Sequence, residues 1–469
     1  MTLIRACLGI AVIELIGIAV FTLLTSDMQR WTSAAKFGLS FCLGLVTLTL
    51  SLFIGSWCGL KPVWWFGVCE AILLGVLAFL FRKEQVREFF CSSPEKTVAR
   101  RAPWMRIVEV GALIFIAVTI ALVSGVSLLE PLVEWDVIAI WAFKAKVLFH
   151  ESVAATPYFQ DVTKAFSHLD YPLLWPITMT WIWACVGDTD LESLKLLSPA
   201  LLLALAATFY GILRRCVSSF SALLFTALLF GVPMVLSQTA RLMTDVPLGL
   251  FVLSGFGCFY LWIRDNHSDD LKLAGLFATG MLFIKNEGIG FFVIFLVAAI
   301  TLLAVQRKAR RIPSVALWVF VVPMTLTALW FVFRANIPKV HEDYASRLSP
   351  KFFFEEISRF PEVLKGTFHY CGNTYDWLGF WALFLLVIVF CLPLLIKPPQ
   401  SWLSLIVCLS FAMYGYIFVV SPWPVKDLLE TAANRLLLHL TPLCAFLMAE
   451  LSRAAGLLPR ESEPNPENK

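Results

Sequence analysis

"GLFATGMLFIKNEGIGFF" occupies residues 275 to 292, and its reading decides the fold. An apolar run ends at Ile284, the next residues are Lys285, Asn286, Glu287 and Gly288, and a second apolar run follows. An ammonium and a carboxylate between two greasy runs mark a turn between hydrophobic helices. An ionisable group at such a place is a functional candidate when it lies at membrane depth.

The rest of the chain supports a membrane setting. Of its 469 residues, 59% are hydrophobic and only 15% are charged, whereas soluble domains carry about 25% charged residues. The mean hydropathy is +0.80. Apolar runs of about 20 residues recur, the length that crosses a hydrocarbon core of about 30 Å. The alternation of a membrane β-barrel is absent. The expected fold is therefore an all-α polytopic membrane protein.

We expect about 13 spanning segments: 3–25, 37–59, 63–81, 106–128, 194–213, 219–237, 244–263, 271–284, 289–305, 313–334, 377–396, 401–420 and 434–452. The first is read as a retained helix rather than a cleaved signal. Net charge is +4, too mild to point to nucleic acid. The 12 cysteines include no CxxC pair; those in apolar runs, such as Cys7, Cys42, Cys258 and Cys408, read as small core residues.

Basic residues in short loops set orientation. Segment 82–106, the run "QRKARR" at 306–311, and Arg214–Arg215 are all placed inside by the same set of spans. Loops 129–193, 335–376 and 421–433 then face outward, with the N-terminus. The tail "RESEPNPENK" is expected to be a disordered cytoplasmic end.

Ionisable residues gather on the outer side. After the helix at 106–128 comes "EPLVEWDVIAIWAFKAKVLF", 130–149, read as an amphipathic helix in the outer interface. Lys146 and His150 share its polar face, and Lys144 points to its apolar side. Glu134 and Asp136 at its entry suit either helix capping or general-base chemistry. "SHLDYPLLWP", 167–176, contributes His168, Asp170 and Tyr171 on a rigid loop. "TARLMTDVPLG", 239–249, spaces Arg241 and Asp245 as an i, i+4 ion pair. "ETAANRLLLHLTP", 430–442, places Arg435 about one turn into the membrane with His439 on the same face, where the guanidinium needs an anion.

On "VEWD", "WDVIAIWAFKAK", "DYPLLWP", "ARLMTD", "IKNEG" and "NRLLLHLTP", residues 106 to 450 resemble the GT-C superfamily of membrane glycosyltransferases. That superfamily includes protein O-mannosyltransferases, the aminoarabinose transferase of lipid A, and an uncharacterised bacterial branch. The resemblance implies a GT-C-like catalytic module at 106–455, preceded by a three-helix extension with a basic loop at 1–105 and followed by the tail 456–469. It implies a polyprenyl-phosphate-linked sugar donor, a glycan, lipid or protein acceptor, and transfer on the non-cytoplasmic side of a bacterial inner membrane.

On that reading Asp136 is the expected base, Glu134 its reserve and Asp245 a positioning partner. Lys285 and Arg435 are expected to hold the donor phosphate, helped by Arg241 or Lys144. His168, Asp170, Tyr171, Glu287 and His439 are candidate substrate contacts, and Gly288 lets the backbone turn closely beneath the phosphate. Carboxylates of this kind suit Mg²⁺ or Mn²⁺, but with cations available for the phosphate no metal or other cofactor is expected. The competing readings are a transporter or lipid flippase, a polysaccharide polymerase or ligase relative, and an inactive scaffold.

Overall fold

The computed structural model describes residues 1–91, 102–306, 309–338 and 347–459. The tail at 460–469, part of the basic loop at 82–106, and most of "HEDYASRLSP" lie outside the described residues. Among the described residues the chain forms helices and turns and no strands. Ten helices among the described residues are long and apolar enough to cross a membrane, or up to 11 with one bent pair counted as a single span. The protein is an all-α polytopic membrane protein.

Three of the about 13 expected segments do not form a single full-length span among the described residues, for identifiable reasons. The helix Ser268–Ile284 has 17 residues and Phe380–Phe390 only 11, both short of a full crossing at 1.5 Å per residue. The segment expected at 219–237 is broken into Ser219–Phe230 and Pro233–Ala240, bent by 64°. Pro233 starts the second piece, where its missing N–H costs no helical hydrogen bond.

The core is built around Asp245–Asp265, whose side chains from Asp245 to Trp262 are all buried. Helices Leu197–Arg214, Ser268–Ile284 and Val425–Ala454 pack around it. Outlying helices such as Trp64–Phe81 and Pro103–Leu129 keep most of their apolar side chains exposed, as expected where lipid rather than water is the solvent. Cys7 and Cys408 share this exposure and are not core residues, whereas Cys42, Cys258 and Cys444 are buried.

The first two helices are embedded in the bundle. A Cβ on Gly17 would sit 1.7 Å from the carbonyl oxygen of Ser40, and one on Gly44 1.9 Å from that of Ile13. Only glycine lets the backbones of Thr2–Leu24 and Ser33–Trp57 approach so closely, the small-residue packing common between membrane helices.

Loop 129–193 holds a 13-residue apolar helix, Leu174–Val186, that hydropathy at full-span length does not reveal; it is buried against Thr2–Leu24 and Phe143–His150.

Charge divides the bundle into two ends. One carries Arg30, Arg215, Arg264, Asp265, Asp269 and Asp270, tied by ion pairs such as Arg215–Asp265 at 2.6 Å and Arg30–Asp265 at 3.1 Å. The other carries Asp136, Asp170, Asp245, Lys285, Arg334 and Arg435. Helices that start at one end finish at the other, so these rows are the two boundaries of the apolar slab.

Candidate active site at the end of the bundle

Asp245 is the hub of the second end. It opens the central helix, where a carboxylate complements the N-terminal dipole, and its side chain is 0% exposed. Lys285 Nζ donates to Oδ1 at 2.7 Å, and Arg435 Nε donates to Oδ2 at 3.1 Å. His439 Nε2 lies 2.8 Å from Oδ1. A carboxylate only accepts, so Nε2 carries the imidazole proton, and Nδ1 accepts from the Tyr414 hydroxyl at 2.7 Å. Lys285, at the end of Ser268–Ile284, and Arg435 and His439, one turn apart in Val425–Ala454, thus fix one buried anion, with Tyr414 behind the imidazole.

The other cation contacts extend the network outward. Arg435 Nη2 is 2.8 Å from Asp136 Oδ2, with side-chain exposures of 25% and 23%. Lys285 Nζ also meets Glu287 Oε1 at 2.9 Å. Asn286 Nδ2 donates to Asp170 Oδ2 at 3.1 Å, and Arg334 Nη2 reaches the same oxygen at 2.9 Å. Glu134 pairs with Arg241 Nη1 at 3.0 Å. Asp136, Asp245, Lys285, Glu287, Arg435 and His439, six of the residues singled out from the sequence, are therefore joined by direct contacts. Asp170 is attached to them through Asn286.

Several local expectations change. Arg241 pairs with Glu134 rather than with Asp245, because Asp245 turns inward to Lys285 and Arg435. Neither Glu134 nor Asp136 accepts a capping hydrogen bond at the entry to 136–142; both face arginines instead. Asp136 begins a widened π-type turn from Asp136 to Ala142, an irregularity often found at functional sites. Lys285 is not a free cation, since two carboxylates lie on it and it is 3% exposed. A Cβ on Gly288 would lie 1.7 Å from the carbonyl oxygen of Met281, so this glycine serves close helix packing at the turn.

Lys144 sits behind the site. As expected it lies on the buried face, with Lys146 and His150 exposed, but the burial is complete at 0% exposure. Its ammonium lies over the rings of Trp141 and Tyr171 at 5.6 and 5.4 Å and donates to the carbonyl of His168. Burial pushes its pKa down to about 7 against a smaller upward pull from Asp170. His168 stacks on Tyr171 with centroids 4.6 Å apart, in a left-handed backbone conformation.

Three partners escaped sequence reading. Tyr414 lies in an apolar run that carries no signal of its own. Arg334 did carry one, a cation at the end of an apolar run. Asn434 belongs to a bracket beside Arg435: it donates to Asp376 Oδ2 at 2.7 Å and accepts from the Trp377 indole at 3.2 Å.

Two features bear on what this end can hold. Glu287 Oε2, Asn286 Oδ1, Thr244 Oγ1 and Gln238 Oε1 are buried without a hydrogen-bond partner, which is costly unless a ligand or water satisfies them. A cavity of about 550 Å³ adjoins the cluster, lined by Phe353, Phe360, Phe411, Tyr414, Leu436 and other mostly apolar residues. Tyr414 links the two, and Leu436 follows Arg435 in the chain. Among the described residues no group of three or more His, Cys, Asp or Glu side chains is placed to hold a metal ion.

A scan against protein-family models and searches of curated proteins and of solved structures find no match for this chain.

Proposed function

We propose that the protein is a glycosyltransferase of the membrane, moving a sugar from a polyprenyl-phosphate donor to an envelope acceptor on the non-cytoplasmic side. The observation that carries the reading is the Asp136–Arg435–Asp245 relay beside an apolar cavity of about 550 Å³. It puts a part-exposed carboxylate, a part-exposed guanidinium and room for a hydrocarbon chain at one boundary of the bundle.

The chemistry follows from these groups. A phosphate leaving group needs charge stabilisation more than it needs a proton. Arg435 Nη1 makes no ion pair among the described residues, and Arg241 has 55% side-chain exposure; these two meet the phosphate. Lys285 and Asp245, being buried, hold Arg435 in orientation. Phosphate binding to Arg435 competes with Asp136 for the guanidinium and frees Asp136 Oδ2 to accept a hydrogen bond from the acceptor hydroxyl. The acceptor oxygen then attacks the anomeric carbon as its proton passes to Asp136. The bond from that carbon to the phosphate oxygen breaks with both electrons leaving on the phosphate, and one displacement inverts the anomeric centre. Glu287 Oε2 and Asn286 Oδ1 are acceptors suited to sugar hydroxyls.

A second reading, transport, is favoured by the bend of 64° between Ser219–Phe230 and Pro233–Ala240, since broken helices mark many transporter sites. Inverted-repeat folds supply such breaks in pairs, and among the described residues there is one. The deciding experiment compares envelope glycolipids and glycans by mass in cells with and without the protein, then supplies purified protein with polyprenyl-phosphate sugar and a membrane acceptor fraction. A missing hexose or pentose in the cells, restored in vitro, supports transfer. Unchanged glycans with altered lipid sidedness would support flipping and end the transferase reading.

A further inference from the structure

The end of the bundle opposite Asp245 holds cations that the proposed reaction does not use. A cavity of about 190 Å³ opens between the close of Asp245–Asp265, the start of Ser268–Ile284 and the segment 310–318. It is lined by Arg310, Arg311, Trp262, Trp318, Ser268 and Ser314 among others, with no acidic residue in the lining.

The charge balance around it is uneven. Arg30, Arg215 and Arg264 are matched by Asp265 or Asp270, and Lys272 by Asp269 at 2.8 Å. The nearby carboxylates are thereby engaged. Arg311 lies over the Trp262 ring at 5.4 Å and donates to Gln306 Oε1 at 2.7 Å and to Asn266 Oδ1, both neutral acceptors. Neither Arg310 nor Arg311 has an ion-pair partner among the described residues. Two arginines thus line one recess, and no carboxylate among the described residues pairs with either.

We propose that this recess binds a phosphate group, carried either by an anionic phospholipid headgroup in the leaflet at that end or by a small soluble phosphate ester. Guanidinium forks match phosphate oxygens bidentately. Indoles settle at the headgroup level of a bilayer. A basic recess between spanning helices is the kind of site that takes lipid phosphates. The site is independent of the sugar-transfer reading, since it lies across the bundle from Asp245.

The test uses the full-length protein purified in detergent and thermal unfolding as the readout. Phosphatidylglycerol, phosphatidylcholine and glycerol phosphate are titrated separately against the wild-type chain, Arg310→Gln, and an Arg310→Gln/Arg311→Gln double variant. Arg310→Gln is the informative single change because Arg310 supports no described ion pair, so its melting temperature in phosphatidylcholine should equal that of the wild type. We expect phosphatidylglycerol to stabilise the wild type, and its half-saturating concentration to rise about five-fold in Arg310→Gln, the factor that follows from roughly 1 kcal/mol per surface cation. Stabilisation by glycerol phosphate that is lost in Arg310→Gln also supports the site and assigns it to a soluble ester. Identical phosphatidylglycerol and glycerol phosphate titrations in the wild type and Arg310→Gln overturn the proposal, whether or not the double variant folds.

Discussion

Arg435 Nη2 lies 2.8 Å from Asp136 Oδ2, joining the last spanning helix to the segment that follows Pro103–Leu129. The same guanidinium is fixed from behind by Asp245, through Nε at 3.1 Å. One arginine thus holds a carboxylate at the mouth of the site and is held by another in the interior. The outer partner is 23% exposed and the inner one is fully buried.

Asp136→Asn should reduce sugar transfer by about 10²–10⁴-fold, the usual contribution of a general base, with normal expression and melting temperature. Transfer in membrane vesicles, measured beside thermal unfolding in detergent, checks this. Wild-type turnover in the variant would remove Asp136 from the base role.

Asp245→Ala should destabilise by about 3–5 kcal/mol, because it leaves Lys285 and Arg435 facing each other without their shared anion. A Lys285→Met/Glu287→Gln pair added to it should recover part of that loss, since Arg435 keeps Asp136 and no carboxylate is left without its cation. A combined variant as unstable as Asp245→Ala alone would show that the facing cations are not the source of the effect.

Gly288→Ala places a methyl group 1.7 Å from the Met281 carbonyl oxygen, a clash that the backbone itself must relieve. A loss of about 1–3 kcal/mol follows from overpacking of this kind. Melting curves for Gly288→Ala should show it, and an unchanged midpoint would mean that the two helix ends part easily.

Lys144 makes stability depend on alkaline pH. In the fold its pKa is pushed down to about 7, against an ordinary lysine value of 10.5. Between those values the unfolded chain binds more protons than the folded one, so stability rises with pH from about 7 to 10.5 and is lowest below that window. Lys144→Met should flatten this part of the profile relative to the wild type. A parallel pair of profiles would show that the ammonium is solvated in the native state.

Orientation has its own test. Gln160→Cys and Lys351→Cys, both at exposed positions, should react with a membrane-impermeant maleimide from outside intact cells in a background without other reactive cysteines. Labelling only after permeabilisation would place the Asp245 end in the cytoplasm.

Much of this protein is written locally. A run such as Leu250 to Leu261, whose burial is set by packing since the equally apolar Trp64–Phe81 is mostly exposed, is helical wherever it stands in a bilayer, because an unpaired backbone is too costly in hydrocarbon. Charges such as Lys285 and Arg435 are conspicuous for the same reason, so their residue types and membrane boundary follow from the chain alone. Their partners do not. Asp245 takes Lys285 rather than the nearby Arg241 because the packing of Ser268–Ile284 and Val425–Ala454 against its helix turns its carboxylate inward. Tyr414 joins the cluster without any mark in its sequence. The short helix Leu174–Val186, the break before Pro233, and the burial of Lys144 are likewise settled by which surfaces meet. Hydropathy measures one segment against its solvent, whereas an ion-pair network depends on distances between segments, and only tertiary packing sets those.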